Sequence, residues 1–253
     1  MRLTYFEAQH IIALASNCFG KKTQVYLFGS RVDDTQKGGD IDLYIIPELT
    51  DALYQKKIQF LVALKQRIGE QKIDVVLASD ASRLIEKMAL QEGIELNLID
   101  LKIQKVLNEC DKHLLRINDA YQDMQDFMPL TPDRYIQLSK HQIQAIDQYL
   151  YRFTKLQDAM GEKLFKLVIN HFEENGNALS YIDILNKLEK LQLIPSANSW
   201  KELREIRNSL AHEYEDNPDE IVSLLNHIVS KKTVIEDIYL NLKNSISLFQ
   251  AQK

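Results

Sequence analysis

The period of apolar positions changes once along the chain, near residue 95. Before it, a helical pattern over 4–18 sets Phe6, Ile11, Ile12, Leu14 and Ala15 on or near one face. Three short β-rich runs come next: Val25 to Phe28, Ile41 to Ile46 and Ile73 to Leu77. Helical stretches at about 50–69 and 81–92 separate and follow them, so this part predicts a sheet covered by helices. Beyond Gly93 no strand pattern stands out. Ile103, Leu107, Cys110, Leu114, Ile117, Tyr121, Met124 and Met128 repeat at spacings of 4, 3, 4, 3, 4, 3 and 4, the apolar seam of a long helix. The MPLTPD turn ends it, and Thr131 or Asp133 is placed to cap the next helix. Further helices are predicted at about 133–174, broken near Gly161, then at 180–191, 198–213 and 218–248. The expected architecture is an α+β domain over 1–96, with a small mixed sheet, followed by an all-α helical bundle over 97–253.

Composition narrows the function classes. A net charge of −5 and a pI of about 5.7 argue against a broad nucleic-acid-coating surface, though a few placed cations suffice for a local RNA site. No apolar run has the length of a membrane span, and MRLTYFEAQH lacks the basic start and apolar core of a signal peptide. Cys18 and Cys110 have no CxxC partner and read as reduced thiols. A cytosolic protein with no membrane partner is expected.

The densest chemistry lies in LFGSRVDDTQKGGDIDLYII. An apolar strand runs into Gly29-Ser30, and a second strand opens on Asp40-Ile41-Asp42. Alternation puts Asp40 and Asp42 on one side, where two carboxylates repel unless a cation sits between them. Oxygen donors of this kind suit Mg²⁺. Gly29 lets backbone approach a phosphate, and Ser30 offers a hydroxyl. Asp74, at the start of the run KIDVVL, completes a carboxylate triad if its strand lies beside the second, as a metal ligand or as a base for an incoming hydroxyl.

Gly29-Ser30 followed by Asp40-Ile41-Asp42 resembles the signature of polymerase-beta-like nucleotidyltransferases, and in particular their small "minimal" branch, over about residues 5–95. The resemblance implies transfer of a nucleoside monophosphate from an NTP, with ATP as substrate and pyrophosphate released. It implies two Mg²⁺ ions on Asp40 and Asp42, Asp74 as the third carboxylate, and Gly29, Ser30 and Arg31 at the nucleotide. One departure is local: many relatives have Arg-Gly after the serine-arginine pair, where this chain's loop reads Arg31-Val32-Asp33-Asp34. Arg31 is placed to offset those acids by contacting phosphate, or to form a surface ion pair.

The second constellation lies in WKELREIRNSLAHEYED. Helical spacing aligns Asn208 with His212, and Arg207 with Tyr214, next to an apolar stripe of Leu203, Ile206 and Leu210. An arginine that grips phosphate and a histidine that moves the 2′-hydroxyl proton suit metal-independent phosphodiester cleavage. Arg207, His212 and Tyr214 resemble the motif of HEPN domains over roughly 130–250, and RFTKLQDAMG, residues 152–161, resembles a HEPN helix. That resemblance implies an endoribonuclease centred on Arg207 and His212, with Asn208 in support. It also implies a toxin–antitoxin logic in which the nucleotidyltransferase adenylylates Tyr214 and silences the RNase. A homodimer joined through the helical domains is expected, because one helix offers little to surround an RNA phosphate. The alternative is a small-molecule nucleotidyltransferase, resembling aminoglycoside-modifying enzymes, whose helical domain binds the acceptor. A regulatory module without chemistry fits the carboxylate triad least.

Overall fold

The computed structural model describes residues 1–33, 35, 39–80, 82–172, 179–212 and 218–251. It divides into two compact units, Met1–Lys102 and Ile103–Lys253.

The first unit opens with α1 (Tyr5–Phe19), capped by Thr4 and Glu7 in a reciprocal capping box and ended at Gly20. Strands β1 (Gln24–Phe28) and β2 (Ile41–Ile46) pair antiparallel. After α2 (Leu53–Ile68), β3 (Ile73–Leu77) joins β2 in parallel, with Asp42 opposite Asp74. Helix α3 (Leu84–Glu92) precedes β4 (Ile94–Glu95), which pairs antiparallel with β1, giving the order β3-β2-β1-β4. The mixed sheet therefore matches the expected class. Strand β4 was not expected, and the reason is its two exposed residues, which leave no alternation to detect.

Both sheet faces are covered, which explains the near-continuous apolar reading of β2. One face carries Leu27, Ile41, Leu43, Ile45, Ile73 and Val75 into a core closed by Ile11, Ala15 and Phe19 of α1 and by Phe60 and Leu64 of α2. The other face carries Phe28 and Tyr44 against Ala89 of α3. Alternation along β2 and β3 places Asp42 and Asp74 on this second face, at the end where both strands begin.

That face also buries a charge. Glu86 of α3 is 1% exposed. Its carboxylate accepts from the Tyr44 hydroxyl at 3.0 Å, the Ser79 hydroxyl at 3.1 Å and the Asp80 N–H at 3.2 Å, and pairs with Arg83. Burial pushes the Glu86 pKa up, but the Asp80 N–H, the Tyr44 hydroxyl and Ser79 outweigh it and leave it below 4.5. Burial, then the bond to Glu86, pushes Tyr44 up to about 12. A depressed folded-state value adds stability above the unfolded pKa, and that stability is lost as pH falls through the folded value. Glu86→Gln should therefore lower the thermal midpoint at neutral pH and flatten its fall between about pH 5 and pH 3, read by calorimetry across that range.

The elements of the second unit, among its described residues, are all helices: α4 (Leu98–Met124, entering from the first unit), α5 (Pro132–Ile136), α6 (Lys140–Asp158), α7 (Phe165–Phe172), α8 (Tyr181–Lys190), α9 (Ala197–His212), α10 (Pro218–Ser230) and α11 (Lys232–Ala251). Thr131 caps α5 by accepting from the Arg134 N–H. Two expectations are corrected. The span 133–174 is interrupted twice: at 137–139, between α5 and α6, and near Gly161, where α6 passes into α7 through a π turn, Ala159–Leu164, with Gly161 against Trp200 and Tyr181. The span 218–248 is two helices rather than one, turning at Lys231, where α10 and α11 each bury their own apolar stripe. The unit's core holds Trp200, Tyr149, Tyr239, Phe153 and Phe165, with Phe165 edge-on to Trp200 at 4.6 Å. Among the described residues, no helix is long and apolar enough to cross a membrane.

Candidate active site

The first unit's site begins where β1 runs out. Gly29 takes φ +72, opens a 3-10 turn with Ser30 and Arg31, and lies directly under a carboxylate. A Cβ at Gly29 would stand 2.4 Å from Asp42 Oδ2, so only glycine leaves room for Asp42 in this rotamer. Ser30 is half-buried, and its hydroxyl has no hydrogen-bond partner among the described residues.

Asp40 directly precedes β2, Asp42 is its second residue, and Asp74 is Asp42's partner in the parallel register. Burial, then the neighbouring charges of Asp74 and Asp40, push the Asp42 carboxyl above its ordinary value, and Lys72 and Arg31 only partly offset this. Lys72, two residues before Asp74, donates to Asp40 Oδ2 at 2.5 Å and lies 3.8 Å from Asp74. The bond to Asp40 and the surrounding carboxylates raise the Lys72 pKa. Lys72 was missed in the sequence, yet strand alternation from Asp74 in KIDVVL puts it on the same side. Among the described residues no three side chains close to the spacing of a single-ion cage. Mg²⁺ does not require one, because it takes one or two carboxylates and completes its shell with water and substrate phosphates. An all-oxygen donor set with surplus negative charge fits such an ion.

Of the two roles expected for Arg31, the structure carries the ion pair. Its guanidinium donates to the Gly39 carbonyl at 2.5 Å, to Gln71 Oε1 at 3.0 Å and to the Arg2 carbonyl at 3.4 Å, and it lies 3.8 Å from Glu7. Arg2 in turn donates to the carbonyls of Ser30 and Asp33. The two arginines pin both ends of the segment between β1 and β2 by donating to the carbonyls of Ser30, Asp33 and Gly39. Arg31→Ala should cost about 1–2 kcal/mol of stability through the lost bonds, read by denaturant unfolding. A phosphate ligand with no structural duty would instead leave stability unchanged and raise only the KM for ATP.

In the second unit, Arg207 on α9 is ion-paired with Asp158 at the end of α6, and its other amino group donates to Asn208 Oδ1 at 3.4 Å. Asn208 is exposed. His212 is the last residue of α9, and its side chain lies outside what the structure describes; Tyr214 lies outside the described residues. Leu203 and Ile206 are buried, as the apolar stripe requires. Asp158 falls within RFTKLQDAMG, but its pairing with a residue 49 positions away left no sequence signal.

A comparison with curated proteins returned no match, and a comparison with solved structures returned none. Residues 10–102 match the family described as "Polymerase beta, Nucleotidyltransferase", so the chain carries, over the unit that holds Gly29, Asp40, Asp42 and Asp74, a domain similar to that family's nucleotidyltransferase.

Proposed function

We propose that the first unit transfers AMP from ATP to an acceptor hydroxyl in a reaction that needs Mg²⁺, with Asp40, Asp42 and Asp74 as its working carboxylates. The parallel register that sets Asp74 beside Asp42, over the glycine turn, carries this reading. Asp40 and Asp42 would hold two Mg²⁺ ions, with Asp74 as third ligand or base. The metal, when bound, supplies charge neutralisation for the triphosphate and the transferring phosphoryl group. Gly29 admits the triphosphate close to backbone, and the Ser30 hydroxyl donates to a phosphate oxygen. The acceptor oxygen bonds to the α-phosphorus, the bond to the bridging oxygen breaks, and pyrophosphate leaves. The acceptor's proton passes to Asp74 or to water.

For the acceptor, the first reading is a protein tyrosine, Tyr214, in a cytosolic toxin–antitoxin-like chain whose HEPN-like helical unit is a dimeric RNase. AMP on Tyr214, seven residues after Arg207, would set a phosphate near the guanidinium and compete with RNA for it. One observation favours a second reading, in which the helical unit binds a small acceptor: Arg207 is already engaged by Asp158 beside a cleft. Mass spectrometry after incubation with ATP and Mg²⁺, with peptide mapping, separates the two. AMP on Tyr214 supports the first. An unmodified chain that releases pyrophosphate only when a small alcohol or amine is added supports the second.

A further inference from the structure

The π turn Ala159–Leu164 faces α8 and α9 across a cleft of about 280 Å³, lined among others by Gln157, Lys166, Tyr181, Trp200, Arg204 and Arg207. Single π turns inside α-helices occur frequently at functional sites. Gly161 lets α8 and α9 close on that turn: a Cβ on it would stand 3.0 Å from both Trp200 Cζ2 and the Tyr181 oxygen.

Three features of the cleft are unspent. Arg207 is neutralised by Asp158, but Arg204, stacked 4.6 Å over the Tyr181 ring, has no carboxylate partner among the described residues. The Tyr181 oxygen accepts from Trp200 Nε1 at 2.6 Å, and its own proton has no acceptor among those residues. Gln157 is 2% exposed, yet neither its amide oxygen nor its nitrogen has a hydrogen-bond partner among them. An amide buried unpaired is costly and calls for a partner.

We propose that this cleft binds a small phosphate ester of sugar-phosphate or nucleotide size. Lys166, Tyr181 and Arg204 bring donors from three helices. That arrangement suits a tetrahedral oxyanion with three terminal oxygens better than a planar carboxylate with two. The cleft is the one that the second reading above gives to a small acceptor, and binding of a phosphate ester there requires no turnover by the first unit.

Trp200 is the chain's one tryptophan and lines the cleft, so its emission reports on this site. The full chain is titrated with ribose 5-phosphate, with ribose and with a tetraribonucleotide lacking a terminal phosphate, at constant ionic strength. A saturable change with ribose 5-phosphate, absent with ribose, is expected. Arg204→Gln should weaken its midpoint by about tenfold or more, in keeping with a charge-assisted contact. Lys166→Gln, altered at an exposed side chain that cannot unfold the chain, should weaken it as well. Asp42→Asn should leave the midpoint unchanged, which keeps the result separate from the fate of the transfer reading. No saturable change, an equal response to ribose, a response to the tetranucleotide alone, or a midpoint indifferent to both cleft variants would each overturn the proposal.

Discussion

Asp42→Asn is expected to cut AMP transfer by about a thousandfold, near 4 kcal/mol of transition-state stabilisation, while leaving the fold slightly more stable. The two effects have opposite signs for one reason. Burial and the charges of Asp74 and Asp40 hold the Asp42 pKa above its ordinary 3.8. The ionised carboxylate is thus a cost to the free protein and becomes useful only with a cation bound. A raised folded-state pKa gives stability that is full below the unfolded value and is lost as pH rises through the folded one. Asp42's own contribution to the stability of the metal-free protein should therefore fall as pH rises past its ordinary value, so the stability gained by Asp42→Asn over wild type should widen with pH. Thermal unfolding with and without Mg²⁺, beside product formation from α-labelled ATP, reads both effects. A variant that transfers AMP at the wild-type rate would remove Asp42 from the site.

Gly29→Val is expected to be nearly as damaging to activity, by displacement rather than by loss of charge. The new Cβ would meet Asp42 Oδ2 at 2.4 Å and its Cγ at 3.1 Å, so the carboxylate must leave its rotamer. A β-branched residue also resists φ +72, which adds about 1–3 kcal/mol of backbone strain. Gly39→Ala is the matched control, because no described residue lies within 4 Å of a Cβ there. Unfolding and steady-state transfer rates on both variants should show a large loss of both for Gly29→Val and almost none for Gly39→Ala. Equal behaviour of the two would mean that the turn does not position Asp42.

The strands β1 to β3 and most helices were legible because each writes a periodic apolar pattern, and Asp40 with Asp42 was legible because both sit at the start of one strand. What escaped the sequence was settled across elements. The opposition of Asp42 and Asp74 depends on the register of two strands about thirty residues apart, and in sequence terms it was only a condition. Arg31 reads as a cation beside a phosphate turn until Gly39, Gln71 and Arg2 are folded around it. Glu86 reads as an ordinary helix carboxylate, since its partners Tyr44, Ser79 and Asp80 come from β2 and the end of β3. Arg207 with Asp158, and the cleft beside them, needed α6, the π turn and α9 brought together. Gln157 is a polar residue buried at a helix end, with no pattern to mark it as unpaired.

Electron paramagnetic resonance of Mn²⁺ tests the central claim most directly, because the ion substitutes for Mg²⁺ at oxygen sites and needs no knowledge of the acceptor. In the presence of an ATP analogue that cannot be cleaved at the α-phosphorus, the wild-type chain should bind two Mn²⁺ ions. Asp40→Asn and Asp42→Asn should each lose at least one, and Arg204→Gln neither. No Mn²⁺ uptake beyond that of the nucleotide alone, or uptake unchanged in both carboxylate variants, would contradict a two-metal nucleotidyl-transfer site at Asp40 and Asp42.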